Sequence, residues 1–231
     1  MTTQTKPIDL YYWPTPNGFK VSIYLEELGI PYTLKPINIG KGDQFAPEFL
    51  AFSPNNRMPA IIDPEGPDGE PISVFESGAI LQYLGRKFGA FYPSDERGRV
   101  KVEEWLMWQM GGFGPMLGQN HHFNKYAPED VPYGKKRYTD ETHRLYGVLD
   151  RQLAGKDYIT GEYSIADMAC IGWAQGWEAQ KMDLKDFPNV ARWLKTMGDR
   201  PAVARGLAVG AELRQPMSDA DKKVLFNQRA K

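Results

Sequence analysis

The sequence predicts a mixed α/β domain followed by an all-helical one. Strand and helix signals alternate over roughly the first 88 residues, and strand signals all but vanish beyond Asp95. Between these regions, Gly89 to Asp95 is rich in turn formers and marks the boundary. The predicted division is residues 1–88, a linker at 89–95, and a helical region at 96–231.

The first region can be justified element by element. Ile8 to Trp13 reads as a strand, ended by the turn signal Pro14-Thr15-Pro16-Asn17-Gly18. A helix to Leu28 follows, stopped by Gly29, the residue type preferred just past a helix end. Tyr32 to Ile39 reads as a second strand, and Pro47 to Ala51 as a short helix. Ala60 to Asp63 and Ile72 to Phe75 are short strands across the turn-rich link Pro64 to Gly69. Ser77 to Phe88 is a helix with Ser77 as its predicted N-cap. This order, β-α-β-α-β-β-α, is that of a thioredoxin-like domain. Beyond it, Arg97 to Met110, Lys135 to Leu153, Ile165 to Lys181, Val190 to Gly198 and Val203 to Leu213 read as helices, and Gly111 to Pro115 should bend or break the first. The tail from Gln215 is expected to be loose or to fold back.

Composition narrows the function classes. The chain has 231 residues, 42% hydrophobic, 25% charged and 13% aromatic, with a formal charge of −1. That balance gives no electrostatic reason to expect nucleic acid or an anionic membrane as a partner. No apolar run approaches a membrane span. The first seven residues carry no apolar signal region and read as a loose lead-in, so a cytoplasmic location is expected. One cysteine, Cys170, excludes an internal disulfide and any CxxC pair, and its apolar neighbours predict a buried side chain. His121 and His122 face different ways on a helix and His143 is the only other histidine, so no metal site is expected.

Two blocks carry the most information: Asn55-Asn56-Arg57-Met58-Pro59-Ala60-Ile61-Ile62, and Val74-Phe75-Glu76-Ser77-Gly78-Ala79-Ile80. Taken alone, Thr15 or Asn17 is an ordinary cap, Met58-Pro59 an ordinary dipeptide, and Glu76-Ser77 ordinary helix-start chemistry. Together, and in this order, they resemble the cytosolic glutathione transferase family. The turn Pro14-Thr15-Pro16-Asn17-Gly18-Phe19-Lys20 resembles its bacterial Nu class. The resemblance runs from Ile8 to about Leu213.

The resemblance implies glutathione as co-substrate. Thr15 and Asn17 would hold its thiolate at the start of the first helix. Met58, before a cis Pro59, would pair its backbone with the cysteinyl unit. Glu76 and Ser77 would hold the γ-glutamyl end, and Gln44 would lie near the glycine end. The run Gln119 to Asn124, with Asn120, would sit with Tyr126 and Arg137 near the opening over the thiol, where a second glutathione or a disulfide could lie. Ser164-Ile165-Ala166-Asp167, spaced as a capping box with Asp in place of Glu, would start a buried helix.

A free thiol titrates near pKa ~8.5, and each unit of lowering requires about 1.4 kcal/mol of preference for the anion. One hydroxyl, one amide and one helix N-terminus together supply about one to two units, without a basic side chain. The implied activity is glutathione-dependent reduction of small disulfides. Conjugation of glutathione to electrophiles and a non-catalytic glutathione-binding module are the alternatives, and a homodimer is the implied assembly.

Overall fold

The computed structural model describes residues 4–226. Strand β1 (Ile8–Tyr12) lies at the centre of a four-stranded sheet of order β2-β1-β3-β4, with β2 at Tyr32–Pro36, β3 at Ala60–Asp63 and β4 at Ile72–Phe75. β1 runs parallel to β2, with Leu10 beside Leu34, and antiparallel to β3, with Leu10 beside Ile61. β3 and β4 are antiparallel, with Ala60 beside Phe75. Helices α1 (Pro16–Leu28) and α3 (Ser77–Phe88) and the single turn α2 (Pro47–Leu50) complete a thioredoxin-like domain. The second strand stops at Pro36, short of the expected Ile39; proline has no N–H to offer the ladder.

The rest is helical: α4 (Glu96–Trp108), α5 (Gly114–His121), α6 (Pro132–Gln152), α7 (Ile165–Ala174), α8 (Pro188–Gly198), α9 (Pro201–Ala208) and α10 (Asp219–Phe226). Four expectations are corrected here. Gly111 to Pro115 does not break the helix. Instead, Gln109–Phe113 forms one π-helical turn, closed by the Gly114 N–H on Gln109 O, so the chain absorbs Pro115 by widening the coil. The helix from Ile165 ends at Ala174 rather than Lys181, and the one from Val203 stops at Ala208, with Gly210 left-handed at φ 65°. Ser77 is the first helical residue of α3; the cap is Glu76, itself at φ 69° and offering no side-chain cap bond.

The ends of the chain are tied down where they are described. Gln4 Nε2 donates to Asp63 Oδ1 at 3.1 Å and the Thr5 N–H to Glu65 Oε2 at 2.8 Å, so this part of the lead-in is anchored. Residues 1–3 of that lead-in and 227–231 of the tail lie outside the described residues. The tail folds back: Phe226 of α10 packs on His122 and Tyr126, at ring separations of 4.9 and 5.3 Å.

Helix α1 shows why the two regions form one core. Gly18 to Leu25 are all buried: α7, α9 and α3 pack against α1, and its apolar side chains share one core with Ile8, Leu10, Tyr12 and Ile61 of the sheet. A Cβ on Gly206 would sit 2.6 Å from Ile23 Cα, and one on Gly172 would sit 2.6 Å from Pro16 O. Glycine at these positions lets α9 and α7 approach the α1 backbone. Ser22 Oγ donates to Gly206 O at 2.7 Å and Tyr12 OH to Val209 O at 3.0 Å. The clamp is completed by Arg200, which grips Glu27 with two bonds of 2.9 and 3.0 Å.

Ser164 and Asp167 form the expected capping box at the head of α7. Asp167 is fully buried and accepts the Ile159 N–H and Trp193 Nε1, each at 2.9 Å, and the Ser164 N–H at 3.1 Å. Burial pushes its carboxyl up to about 6, against those hydrogen bonds, which favour the carboxylate. Asp167→Asn would turn an amide donor toward donors, and is expected to cost about 2–4 kcal/mol in urea unfolding. A loss below about 0.5 kcal/mol would contradict this account of the box.

Candidate functional site

Strand register brings three distant segments together. Ala60 stands beside Tyr11 on one side and Phe75 on the other. The segment leaving β1, the segment entering β3 and the segment leaving β4 therefore meet at one edge of the sheet. They carry Trp13 to Asn17, Met58-Pro59 and Glu76-Ser77 respectively. The Met58-Pro59 peptide is cis.

Thr15 is the N-cap of α1. Its Oγ1 accepts the Gly18 N–H at 3.2 Å and lies 3.7 Å from Met58 Sδ. The hydroxyl donates to that sulfur, a weak acceptor, so a stronger acceptor can take over its proton. Met58 Sδ also accepts the Trp13 N–H at 3.2 Å, and the rest of this side chain packs in a small core with Ile37 and Phe49. Asn17 Oδ1 accepts Trp173 Nε1 at 3.0 Å. Indole nitrogen only donates, so this bond fixes which amide atom faces α7 and leaves the Asn17 NH2 group as the end available to a ligand. The first turn of α1 thus carries a hydroxyl, an amide donor and the N–H of Asn17, the Gly18 N–H being taken by Thr15 and Pro16 having none. Groups of this kind favour an anion.

Glu76 and Ser77 begin α3. Glu76 is exposed, and its Oε1 accepts Asn55 Nδ2 at 3.0 Å. Ser77 is 7% exposed, with Oγ 3.3 Å from Lys20 Nζ. Lys20 closes the turn that resembles the Nu class, but nothing local gives it a role, because it falls inside the apolar run of α1 where periodicity marks only packing. Only 1% exposed, it donates to Gln109 Oε1 at 2.8 Å and lies 3.5 Å from Met110 Sδ. Burial lowers its ammonium to about 7. Trp173, which orients Asn17, was also invisible to sequence reasoning, since the bond joins residues 156 positions apart.

Three expected ligand residues are placed differently. Asn120 is fully buried: Nδ2 donates to Thr142 Oγ1 at 2.9 Å and Gln180 O at 3.0 Å, while Oδ1 accepts from Asn124 at 2.6 Å. Its amide is occupied by these bonds, and Gln180 Nε2 in turn donates to Trp173 O at 2.8 Å. Gln44 is 1% exposed; its Nε2 donates to Ile39 O at 3.2 Å, and its Oε1 has no partner among the described residues. Arg137 lies on α6 with its side chain exposed and 4.0 Å from Glu141. His122 and Tyr126 line a cavity of about 590 Å³ together with Asp219, Lys222 and Phe226 of α10. Cys170 is buried, and burial pushes its thiol far up. No group of three or more His, Cys, Asp or Glu is arranged to hold a metal among the described residues.

Comparison with known proteins decides the family. Residues 6–86 match the glutathione S-transferase N-terminal domain and residues 124–201 the C-terminal domain. The chain is 50% identical over 215 residues to the disulfide-bond oxidoreductase YfcG of Escherichia coli, covering 92% of this chain and 100% of that protein. The chain belongs to the glutathione S-transferase family. Among solved structures, a glutathione transferase from Burkholderia graminis with two glutathione molecules bound per subunit superposes with a TM-score of 0.84 at 46% identity, covering 88% of each chain. One from Pseudomonas putida, with one glutathione disulfide bound per subunit, gives 0.85 at 42% identity, covering 90% of this chain and 94% of that one. In this family setting, the anion-stabilising edge at α1 lies in the domain that matches the N-terminal model.

The low ammonium value at Lys20 has a measurable consequence for stability. Its folded value lies below the unfolded one, so between about pH 7 and pH 10 the unfolded chain holds a proton that the folded chain has lost. The contribution of Lys20 to stability therefore rises with pH across that window. The difference in unfolding free energy between the unmodified protein and Lys20→Met should climb by up to about 1.4 kcal/mol per pH unit there, and stay level below it. A difference that is flat from pH ~7 to ~10 would show that Lys20 titrates normally.

Proposed function

We propose that this chain is a glutathione-dependent enzyme that reduces small disulfides. The reading is carried by the α1 N-terminus, where Thr15 caps the helix and Trp173 holds Asn17 Oδ1, leaving the Asn17 NH2 group to a ligand. The likeness to a disulfide-bond oxidoreductase and to structures holding glutathione or its disulfide supports it. A glutathione thiolate held there attacks one sulfur of the disulfide. A glutathione mixed disulfide forms, and the other half leaves as a thiolate that takes up a proton. A second glutathione thiolate then attacks the glutathione sulfur of the mixed disulfide and releases the remaining half. Two glutathiones are oxidised to one glutathione disulfide, and the substrate becomes two thiols.

In this reading Thr15 and Asn17 hold the thiolate. Met58 and Pro59 present backbone to the cysteinyl unit, while Glu76 and Ser77 take the γ-glutamyl end. Hydrogen bonds to a charged group contribute about 1.5–3 kcal/mol each, so losing one slows the reaction roughly tenfold to a hundredfold. Removing Thr15 and Asn17 together, as Thr15→Ala with Asn17→Ala, is expected to lower kcat/KM for a small disulfide at least a hundredfold, read by oxidised glutathione through a coupled reductase. Full rate in the double variant would refute the assignment, and a thioether product in place of oxidised glutathione would move the function to conjugation.

We also propose the Nu-class placement, a domain linker at 89–95, a cytoplasmic setting and a two-fold homodimer. The linker is supported by the left-handed Gly89 that ends α3 and the Asp95 cap that starts α4. For the dimer, Val100 and Met107 lie seven residues apart on one face of α4 and are 41% and 51% exposed, an apolar stripe suited to a second copy. Light scattering should give twice the 26.2 kDa chain mass. A monomer at micromolar concentration would refute it.

A further inference from the structure

Lys20 takes no part in the thiol chemistry, yet it is the charged group most completely enclosed beside the site, at 1% exposure. Three elements build its cage. α1 supplies the lysine, α3 supplies Ser77, and the π-helical turn of the second domain supplies Gln109 and Met110. Gln109 is itself fully buried, and its Nε2 has no partner among the described residues. Such widened turns recur at functional sites because they re-aim side chains.

The geometry at Ser77 is directional. A hydroxyl has one proton to give and two positions to accept. Lys20 fills one accepting position from behind, so the Ser77 proton points elsewhere. Its one neighbour there is Met110 Sδ at 3.7 Å, a weak acceptor that a carboxylate oxygen displaces readily. No salt bridge pairs Lys20 with a carboxylate among the described residues, so its charge is not cancelled locally. We propose that Lys20 is the positioning residue for Ser77: its ammonium holds the hydroxyl as an outward donor and backs it with positive charge, making the head of α3 selective for a ligand end that carries a carboxylate. The inference rests on the glutathione reading, the carboxylate being that of the γ-glutamyl end.

The charges facing the ammonium are few. Glu76 faces it from the head of α3, and Cys170 faces it from α7, with Asp167 one turn before Cys170. The π-helical turn Gln109–Phe113 contributes no titratable group. Burial is the main force lowering the ammonium, and Cys170 and then Glu76 oppose it. Since the Cys170 thiol is held neutral by burial, Glu76 is the charge that counts. Lys20 therefore loses its proton near neutral pH unless an anion binds.

The test is calorimetric, with two probes: glutathione, and γ-aminobutyryl-cysteinylglycine, the same tripeptide without the γ-glutamyl carboxylate. Lys20→Met should weaken glutathione about tenfold or more and leave the second probe within about twofold. In a Ser77→Ala background the same substitution should cost little more, because the two residues act as a unit. Equal losses for both probes, or additive losses in the double variant, would overturn the assignment. A measurement on the unmodified protein keeps the test open should Lys20→Met not fold. The affinity for S-methylglutathione, which has no thiol to titrate, should fall between about pH 6 and pH 8.5 as Lys20 deprotonates, and a flat profile would overturn the assignment. If the unmodified protein bound no glutathione, the proposed function would fall and this inference with it. Unchanged glutathione binding in Lys20→Met would remove this inference alone.

Discussion

Burial of α1 is the constraint on which the rest of the molecule depends. With α3, α7 and α9 packed against it and its apolar side chains in one core with the strands, the stretch Gly18 to Leu25 has no solvent face to tilt toward. Gly172 and Gly206 set how closely the two helices approach, since even a methyl at either would meet backbone. Close packing of this kind transmits position with little slack. The N-terminus of α1 is therefore fixed relative to both the sheet edge and the second domain. That fixed point is where Thr15, Asn17 and Lys20 emerge.

The second domain reaches this edge through hydrogen bonds. Asn120, Gln180 and Trp173 form a buried chain of bonds that ends on the Asn17 amide. Buried amides must satisfy donors and acceptors at once, so each fixes the orientation of the next. The π-helical turn works the same way, carrying Gln109 to Lys20. Groups that read as surface polar residues in one dimension thus become internal fittings.

Charges placed away from water are handled by different means in different parts of the molecule. Asp63 is buried; burial alone would raise its carboxyl, but Lys87, Tyr83 and the Glu65 N–H outweigh that and hold it below its ordinary range. Asp167 is surrounded by donors with no cation, and burial prevails, raising its carboxyl. Lys20 has neutral oxygens as partners and no carboxylate, and burial prevails there too, lowering its ammonium. The first two arrangements stabilise the fold, as paired or fully bonded buried charges do. The third leaves a cation short of an anion beside an open helix N-terminus.

Local chemistry determined much of this protein. Strand and helix boundaries such as Ala60 to Asp63, Ile72 to Phe75 and Ser77 to Phe88, the Gly29 stop and the Ser164–Asp167 box were legible because each depends on residues within a few positions. So were Thr15 as a cap and the burial of Cys170 among apolar neighbours. What the sequence could not decide was which way a polar side chain faces once distant elements meet. Asn120 and Gln44 turn inward, and Asn17 is aimed by a tryptophan 156 residues away. Lys20 is enclosed by Ser77 and Gln109, which are 57 and 89 residues distant. The wide turn at Gln109 reflects helices on both flanks strong enough to absorb a proline that local rules read as a break. Hydrogen-bond direction and burial are properties of the packed neighbourhood, and only the tertiary structure brings that neighbourhood together.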